Sequence, residues 1–285
     1  TFAGNPYFID LEELIKKELL TKEECEACDW GGSESYVDYE KIYLSRYKLL
    51  RKAYEKADLK TDPDYAEFLK EEKDWLQDYC LFMAIKNDQK GICWIDWPEE
   101  LKDRHSKAVK EAEKELAEEI EFYRFQQYCF TTQWRKLKAY ANKKDISIIG
   151  DVPIYVALDS SDAWANPEML QFDEDYDPKA VAGCPPDAFS ATGQLWGNPL
   201  YDWKALKKDG YGWWVQRMTH CLELYDVVRI DHFRGFDEYY AIPYGDKTAE
   251  RGKWEKGPGM DLFHTLDKKI KDLRVIAEDL GFLTE

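Results

Sequence analysis

Three short apolar runs in the second half of the chain each end at a carboxylate. Asp151 ends the run 146–151, Asp231 ends 226–231 and Glu278 ends 274–278. Retaining cleavage of a glycosidic bond needs two carboxyl groups about 5–5.5 Å apart, one as nucleophile and one as acid/base. Neighbouring strands lie about 4.7–4.9 Å apart. Asp231 and Glu278 end neighbouring predicted strands, so they could supply this separation and perform this chemistry.

The residues around this pair suit the two roles. Arg229 precedes Asp231 by two positions and so shares its strand face. A guanidinium there would keep Asp231 ionised for attack on an anomeric carbon. Glu278 follows Ile276 and Ala277, and apolar surroundings favour the protonated form that an acid needs. Spacing alone leaves a structural alternative open, in which Arg229 and Asp231 form an ion pair and Glu278 is a capping residue.

The elements that would position these carboxylates alternate between helix and strand. Helical patterns at 211–224 and 260–272 precede the second and third apolar runs. Short buried strands alternating with helices indicate a parallel sheet. In a β/α barrel the residues at the carboxyl ends of the strands form the active site. The segment 157–204, rich in Pro, Gly and aromatic residues, is interpreted as a long functional loop.

The first half of the chain, from 10 to 144, has helical periodicity. Asp10 and Asp38 precede two amphipathic runs as N-caps. Residues 64–87 form a third predicted helix, and 106–143 form a fourth, or two. Their charge runs are typical of solvated helix faces.

Composition excludes several classes of function. Lys and Arg number 40 against 57 Asp and Glu, a formal net charge of −17, which argues against binding nucleic acid or an anionic membrane. No apolar run reaches the roughly 18 residues of a membrane span. Seven scattered cysteines favour reduced thiols and a cytoplasmic location. Cys25 and Cys28 form a C-x-x-C without the second ligand pair of a zinc site, and no metal or cofactor is predicted.

Two segments, Arg229–Phe236 and Ala277–Gly281, resemble signature segments of the 4-alpha-glucanotransferases. These are the amylomaltase or disproportionating enzymes of glycoside hydrolase family 77, relatives of the alpha-amylases. Further segments resemble the family in the same order along the chain: Phe2–Tyr7, Ile149–Ile154, Trp164–Pro167 and Gly193–Pro199.

The resemblance implies a fold and a role for each residue. The fold would be α/β, part of a TIM (β/α)8 barrel: 1–9 begins a barrel segment, 10–144 is a mostly helical insertion and 145–285 is the central barrel. Asp231 would be the nucleophile and Glu278 the acid/base. The implied substrate is maltodextrin or another alpha-1,4-glucan, bound by Tyr7, Asp151, Gln194, Trp196, Arg229 and His232. Trp196 could instead anchor its loop, and Tyr7 could be a core tyrosine.

The sequence also departs from the family pattern. The family has a third catalytic Asp in a T-H-D-N segment and a first barrel strand before the segment that resembles Phe2–Tyr7; neither occurs here. We therefore expect an internal fragment of roughly half an enzyme; a natural chain that ended here would be inactive alone and poorly soluble. A non-catalytic glucan-binding remnant and an amylase-type hydrolase are the alternatives to a transferase. Oligomeric state, calcium binding and preferred glucan length stay open.

Overall fold

The computed structural model describes residues 1–278 and has a mixed α/β fold. It divides into two compact units. One, the sheet unit, comprises Thr1–Phe2, Gln89–Val109 and Lys138–Glu285; the other, the helical unit, comprises Ala3–Asp88 and Lys110–Leu137. No helix within the described residues is both long enough and apolar enough to cross a bilayer.

The secondary structure follows the predicted order along the chain. The helices are α1 Leu11–Lys16, α2 Lys22–Glu26, α3 Tyr39–Lys56, α4 Pro63–Glu71, α5 Lys73–Asp88, α6 Glu99–Lys102, α7 Lys107–Glu115, α8 Ala117–Asn142, α9 Ser161–Ala165, α10 Trp203–Lys208, α11 Gly212–Leu224 and α12 Met260–Lys269. The strands are β1 Ile149–Pro153, β2 Ala180–Cys184, β3 Gln194–Pro199, β4 Val227–Asp231, β5 Glu238–Pro243, β6 Lys253–Lys256 and β7 Val275–Ala277. Short 3₁₀ turns occupy Pro6–Phe8, Trp94–Asp96, Pro167–Met169 and Phe233–Phe236.

A three-stranded parallel sheet, in the order β1-β4-β7, organises the sheet unit. Helix α11 precedes β4 and α12 precedes β7, which confirms the predicted alternation. Val152, Val228 and Ile230 are buried on one face, as expected for apolar strand residues. Asp231 ends β4 as predicted, whereas β1 continues two residues past Asp151.

Residues 157–204 are not a single loop, contrary to the prediction. Strands β2 and β3 lie within this segment and join β5 and β6 in an antiparallel sheet ordered β3-β2-β5-β6. Val181, Tyr240, Ile242 and Ala249 form its buried cluster. The glycines and prolines that suggested a loop are partly accommodated within these strands: Gly183 is part of β2, and Pro199 ends β3.

The helical unit is built on capped amphipathic helices. The carboxylates of Asp10, Asp38 and Asp62 accept main-chain N–H groups at the starts of α1, α3 and α4, which satisfies donors that a helix start leaves unpaired. The predicted helix over 64–87 is two helices, α4 and α5, and 106–143 is likewise two, α7 and α8. Its core contains these buried residues: Ile9, Leu14, Leu20, Leu49, Leu50, Ala53, Phe122, Phe125 and Cys129.

Candidate active site

Adjacent strands bring Asp231 and Glu278 to the same edge of the parallel sheet. Ile230 of β4 lies opposite Ala277 of β7, so the residues that follow them, Asp231 and Glu278, occupy the next position on neighbouring strands. The main-chain N–H of Glu278 donates to the Ile230 carbonyl at 3.1 Å. Since parallel neighbours lie about 4.7–4.9 Å apart, the two residues leave the sheet at adjacent positions.

Arg229 links Asp231 to Asp151 on the third strand. Asp151 of β1 is the register partner of Arg229 on β4. The Arg229 Nη1 donates to Asp151 Oδ1 at 2.6 Å and to Asp231 Oδ1 at 3.4 Å. The hydrogen bond to Asp151 is the main reason that the pKa of Arg229 is raised, so the guanidinium stays charged. Both carboxylates remain open to solvent, with side chains 61% and 56% exposed for Asp151 and Asp231.

Glu278 has a more enclosed environment than the two aspartates. The residue is only 9% exposed. Its Oε2 accepts the main-chain N–H of His232 at 3.0 Å, while its Oε1 is buried without a hydrogen-bond partner among residues 1–278. A buried carboxyl oxygen without a partner is costly in a folded protein. Glu278 Oε1 is therefore a candidate for hydrogen bonding to a ligand.

His232 occupies the sharp turn directly after β4. Its backbone has φ 55° and ψ 45°, in the left-handed region. The imidazole meets the Trp196 ring edge-on, with centroids 4.8 Å apart. Burial lowers the pKa of His232, against the opposing influence of Glu278 and Asp231, which favours the neutral form of the ring. Gly235 leaves room for it, because a Cβ there would lie 3.1 Å from His232 Cδ2.

A cavity of about 190 Å³ opens beside these groups. It is lined by Pro153, Ile154, Tyr155, Trp196, Asn198, Asp231 and His232. Trp196 lies on β3 with 38% of its surface exposed, and its indole N–H donates to the Gln194 side-chain oxygen at 3.0 Å. The cavity thus combines an aromatic face with hydrogen-bonding groups, as small polar ligands require.

Tyr7 is the one predicted binding residue that is not part of the sheet unit. It belongs to the helical unit, follows Pro6 in a 3₁₀ turn, and its ring stacks on Tyr39 with centroids 6.4 Å apart. Its cleft-lining role stays a prediction. The sheet unit holds all the other predicted site residues.

Two residues of the site were missed from the sequence. Tyr155 lines the cavity and is buried; the two-residue alternation that starts at Asp151 was a signal for it. Arg217 is 2% exposed on α11 and donates to the carbonyls of Pro153 and Ile154, the latter at 3.0 Å. Its guanidinium lies over the rings of Trp213 and Trp214. No sequence pattern marked this arginine, because its role depends on tertiary contacts.

Side chains that can ligate a metal ion are not clustered for that purpose in the described part of the chain. Residues 1–278 contain no group of three or more His, Cys, Asp or Glu side chains placed to hold a metal ion. Cys25 and Cys28 are free thiols.

Comparisons with known proteins agree on one family. The family model described as 4-alpha-glucanotransferase matches residues 1–285. A 4-alpha-glucanotransferase of Clostridium butyricum is 50% identical over the whole chain, and one of Thermus thermophilus is 45% identical over 99% of it. The solved amylomaltase of Streptococcus agalactiae in complex with acarbose superposes with a TM-score of 0.95 at 39% identity, covering 99% of this chain.

The chain is shorter than these relatives. It spans 58% of the Clostridium butyricum protein, 56% of the Thermus thermophilus protein and 58% of the Streptococcus agalactiae chain. A solved amylomaltase of Corynebacterium glutamicum, at 18% identity and a TM-score of 0.77, shares the fold.

Proposed function

We propose that this chain, which belongs to the 4-alpha-glucanotransferase family, carries the nucleophile and the acid/base of a reaction that moves alpha-1,4-glucan segments between glucans. The observation that carries the proposal is the adjacency of Asp231, which ends β4, and Glu278, which directly follows β7. Arg229 and Asp151 complete a charged row across the sheet edge.

In the first step Asp231 attacks the anomeric carbon of the donor glucan. Glu278 gives its proton to the glycosidic oxygen as the C1–O bond breaks, and the shortened glucan leaves with a free 4-hydroxyl. A covalent glucosyl ester to Asp231 results, and Glu278 is then a carboxylate. Arg229 supports the ionised nucleophile, because a nearby cation favours the charged form of a carboxylate.

In the second step the 4-hydroxyl of an acceptor glucan attacks the same carbon from the side that the leaving group vacated. Glu278 removes the hydroxyl proton, the ester bond breaks and the Asp231 carboxylate is restored. Two inversions at C1 retain the configuration. Water in place of the acceptor would give hydrolysis, and the aromatic surface of Trp196 beside the cavity favours a sugar there.

The remaining predicted residues would bind the glucan. Asp151, exposed at the sheet edge, would accept a hydroxyl of the donor sugar. The imidazole of His232 has a buried Nε2 without a partner within residues 1–278, which suits a hydrogen bond to the reacting glucose. Gln194 and Trp196 would cover the glucan, and Tyr7 would line the cleft from the segment 1–9.

A barrel would explain the open edges of the parallel sheet. Among the described residues β1 and β7 each pair with β4 alone, and their Ile149 and Ile276 side chains are exposed. Unpaired edges and exposed apolar strand residues suit further parallel strands. We propose that 145–285 is the central part of a TIM barrel and 10–144 a helical insertion. Seven cysteines scattered along the chain favour a reducing, cytoplasmic location.

The test uses the complete protein in which this chain occurs, supplied with maltotriose. Transfer predicts glucose and maltopentaose with no net gain of reducing ends, whereas hydrolysis raises reducing ends with every bond cleaved. A Glu278→Gln variant given α-maltosyl fluoride should accumulate a maltosyl ester on Asp231, seen by peptide mass mapping. Saturable maltodextrin binding without bond cleavage would contradict the proposal and leave a non-catalytic binding protein.

A further inference from the structure

We infer that the left-handed backbone at His232 positions the acid/base, through the hydrogen bond from the His232 main-chain N–H to Glu278 Oε2. The inference rests on the proposed function, since it assigns the acid/base role to Glu278. It makes His232 a positioning residue by its main chain, separately from any contact of its imidazole with glucose.

The N–H of His232 points toward β7 by the alternation of β4, because the N–H of Val228, on the same side of the strand, donates to the Arg274 carbonyl. Strand β4 ends at Asp231, and the next residue adopts φ 55° and ψ 45°. Its N–H donates to Glu278 Oε2 at 3.0 Å, and a side chain that disfavours the left-handed conformation would strain the turn that holds this peptide in place. Few non-glycine residues adopt this conformation, and His, Asn and Asp do so more readily than others. The nucleophile and the residue that holds the acid/base are thus consecutive in sequence.

The chemistry of an N–H donor suits both protonation states of the acid/base. A main-chain N–H can only donate, so Oε2 presents a lone pair to it whether Glu278 is a carboxylate or a carboxylic acid. The proton that Glu278 gives and takes back is left to Oε1, which is buried without a partner in residues 1–278. The bond fixes the orientation of the carboxyl group while leaving its second oxygen for the reacting sugar.

Four substitutions at His232 separate the main chain from the imidazole: His232→Gly, His232→Asn, His232→Ala and His232→Val. All four remove the ring, but Gly and Asn tolerate the left-handed region, Ala does so less well and the β-branched Val does so poorly. Each complete protein is assayed with maltotriose, whose leaving sugar needs a proton, and with α-maltosyl fluoride, whose fluoride needs little help from an acid. For both donors kcat/KM reports formation of the glucosyl ester.

We expect the ratio of kcat/KM for the fluoride to kcat/KM for maltotriose to rise from Gly and Asn to Ala to Val. The expected rise from Gly to Val is about 5- to 30-fold, the factor that the strain of a left-handed residue represents. Circular dichroism checks folding, and the Gly and Ala variants decide the matter if the Val variant does not fold.

Equal ratios in all four variants would overturn the inference while leaving the proposed function intact. Failure of the proposed function is distinguishable, because Glu278→Gln should by itself raise the same ratio in a protein with native His232. If Glu278→Gln leaves the ratio unchanged, the acid/base assignment is wrong and this inference falls with it.

Discussion

The two ends of strand β4 carry aspartates in opposite states. At the amino end, Asp226 Oδ2 accepts the N–H of Ile148 at 2.7 Å and the Asn142 amide at 2.9 Å, and its side chain is 18% exposed. At the carboxyl end, Asp231 is 56% exposed and accepts one hydrogen bond, from Arg229 at 3.4 Å, within the described residues. Five positions separate two identical side chains with different environments.

The difference teaches what each carboxylate is used for. Asp226 accepts hydrogen bonds that hold the start of β1 to the start of β4. Its carboxylate therefore has a structural role. The lone pairs of Asp231 are left largely free, beside the incompletely bonded Glu278. In β/α folds the carboxyl ends of strands supply chemistry and the amino ends supply stability. Matched substitutions at the two ends test whether this division holds.

The largest expected effect is at Asp231. Asp231→Asn removes the proposed nucleophile while keeping the side-chain shape, and turnover of maltotriose should fall by about 10⁴-fold or more. Asp226→Asn is the control, the same chemical change on the same strand. Activity at 25 °C should survive there, while the free energy of unfolding falls by about 1–3 kcal/mol because hydrogen bonds to a charged acceptor weaken.

The reverse pattern would contradict the comparison. One contradicting result is that Asp226→Asn abolishes turnover in a folded protein. The other is that Asp231→Asn lowers the melting temperature without lowering turnover. Either result would show that the carboxyl end of β4 is not the catalytic end and the amino end not the structural one. Initial rates and thermal melts of both variants decide between the patterns.

Two arginines extend the comparison to the neighbouring cations. Arg229→Met removes the guanidinium between Asp151 and Asp231, and we expect kcat to fall about 10²- to 10³-fold, as when a preorganised electrostatic group is lost. Arg274 lies just before β7, at the amino end of the sheet, and pairs with the exposed Asp272 at 2.6 Å. Arg274→Met should leave kcat within two-fold, as expected for a surface pair. Equal losses in the two variants would show that the position along the strand does not matter.

A smaller effect is expected from the arginine behind the cavity wall. Arg217→Met removes both hydrogen bonds to the Pro153 and Ile154 carbonyls, and should cost about 3 kcal/mol of stability or more. Because Pro153 and Ile154 line the cavity, kcat/KM for maltotriose should also fall, by up to about 10²-fold. Arg217→Lys should recover part of both losses.

The matched control lies in the helical unit. Arg51 likewise stacks on an aromatic ring, that of Phe122, and pairs with Glu119. Arg51→Met should lower the melting temperature without changing KM. A KM change with Arg51→Met, or none with Arg217→Met, would contradict a specific role for the cavity wall.

The sequence predicted those features that local spacing determines. Asp10 and Asp38 cap their helices as expected, and the β4–β7 pairing that joins Asp231 and Glu278 follows from strand–helix alternation. The antiparallel sheet was missed because glycines and prolines at 183–199 indicate a loop when read locally. Their strands form through partners distant in sequence, such as Ile242 beside Val181.

The site shows the same limit. Arg229 and Asp231 share a strand face by simple alternation, and the structure pairs them. Arg217, by contrast, acts on carbonyls 63 and 64 residues away, and the His232 N–H reaches Glu278 across 46 residues. Main-chain donors carry no side-chain signature, so a contact of this kind cannot be recognised from residue types.

The smallest expected effect is the pH dependence of the structural carboxylate. The main-chain N–H of Ile148, with lesser help from Asn142 and Lys138, lowers the pKa of Asp226. A lowered folded-state pKa contributes stability that is present above the unfolded value, about 3.9, and is lost as the pH falls through the folded pKa. The stability difference between native protein and Asp226→Asn should therefore be constant from pH 7 to 5 and shrink below pH 4.

Since the main cause is a short hydrogen bond rather than the Lys138 charge 3.8 Å away, 0.5 M salt should change the difference little. Urea unfolding at pH 7, 5, 4 and 3 measures it. A difference that grows as the pH falls would give the opposite sign, and Asp226 would not be the anchor of this end of the sheet.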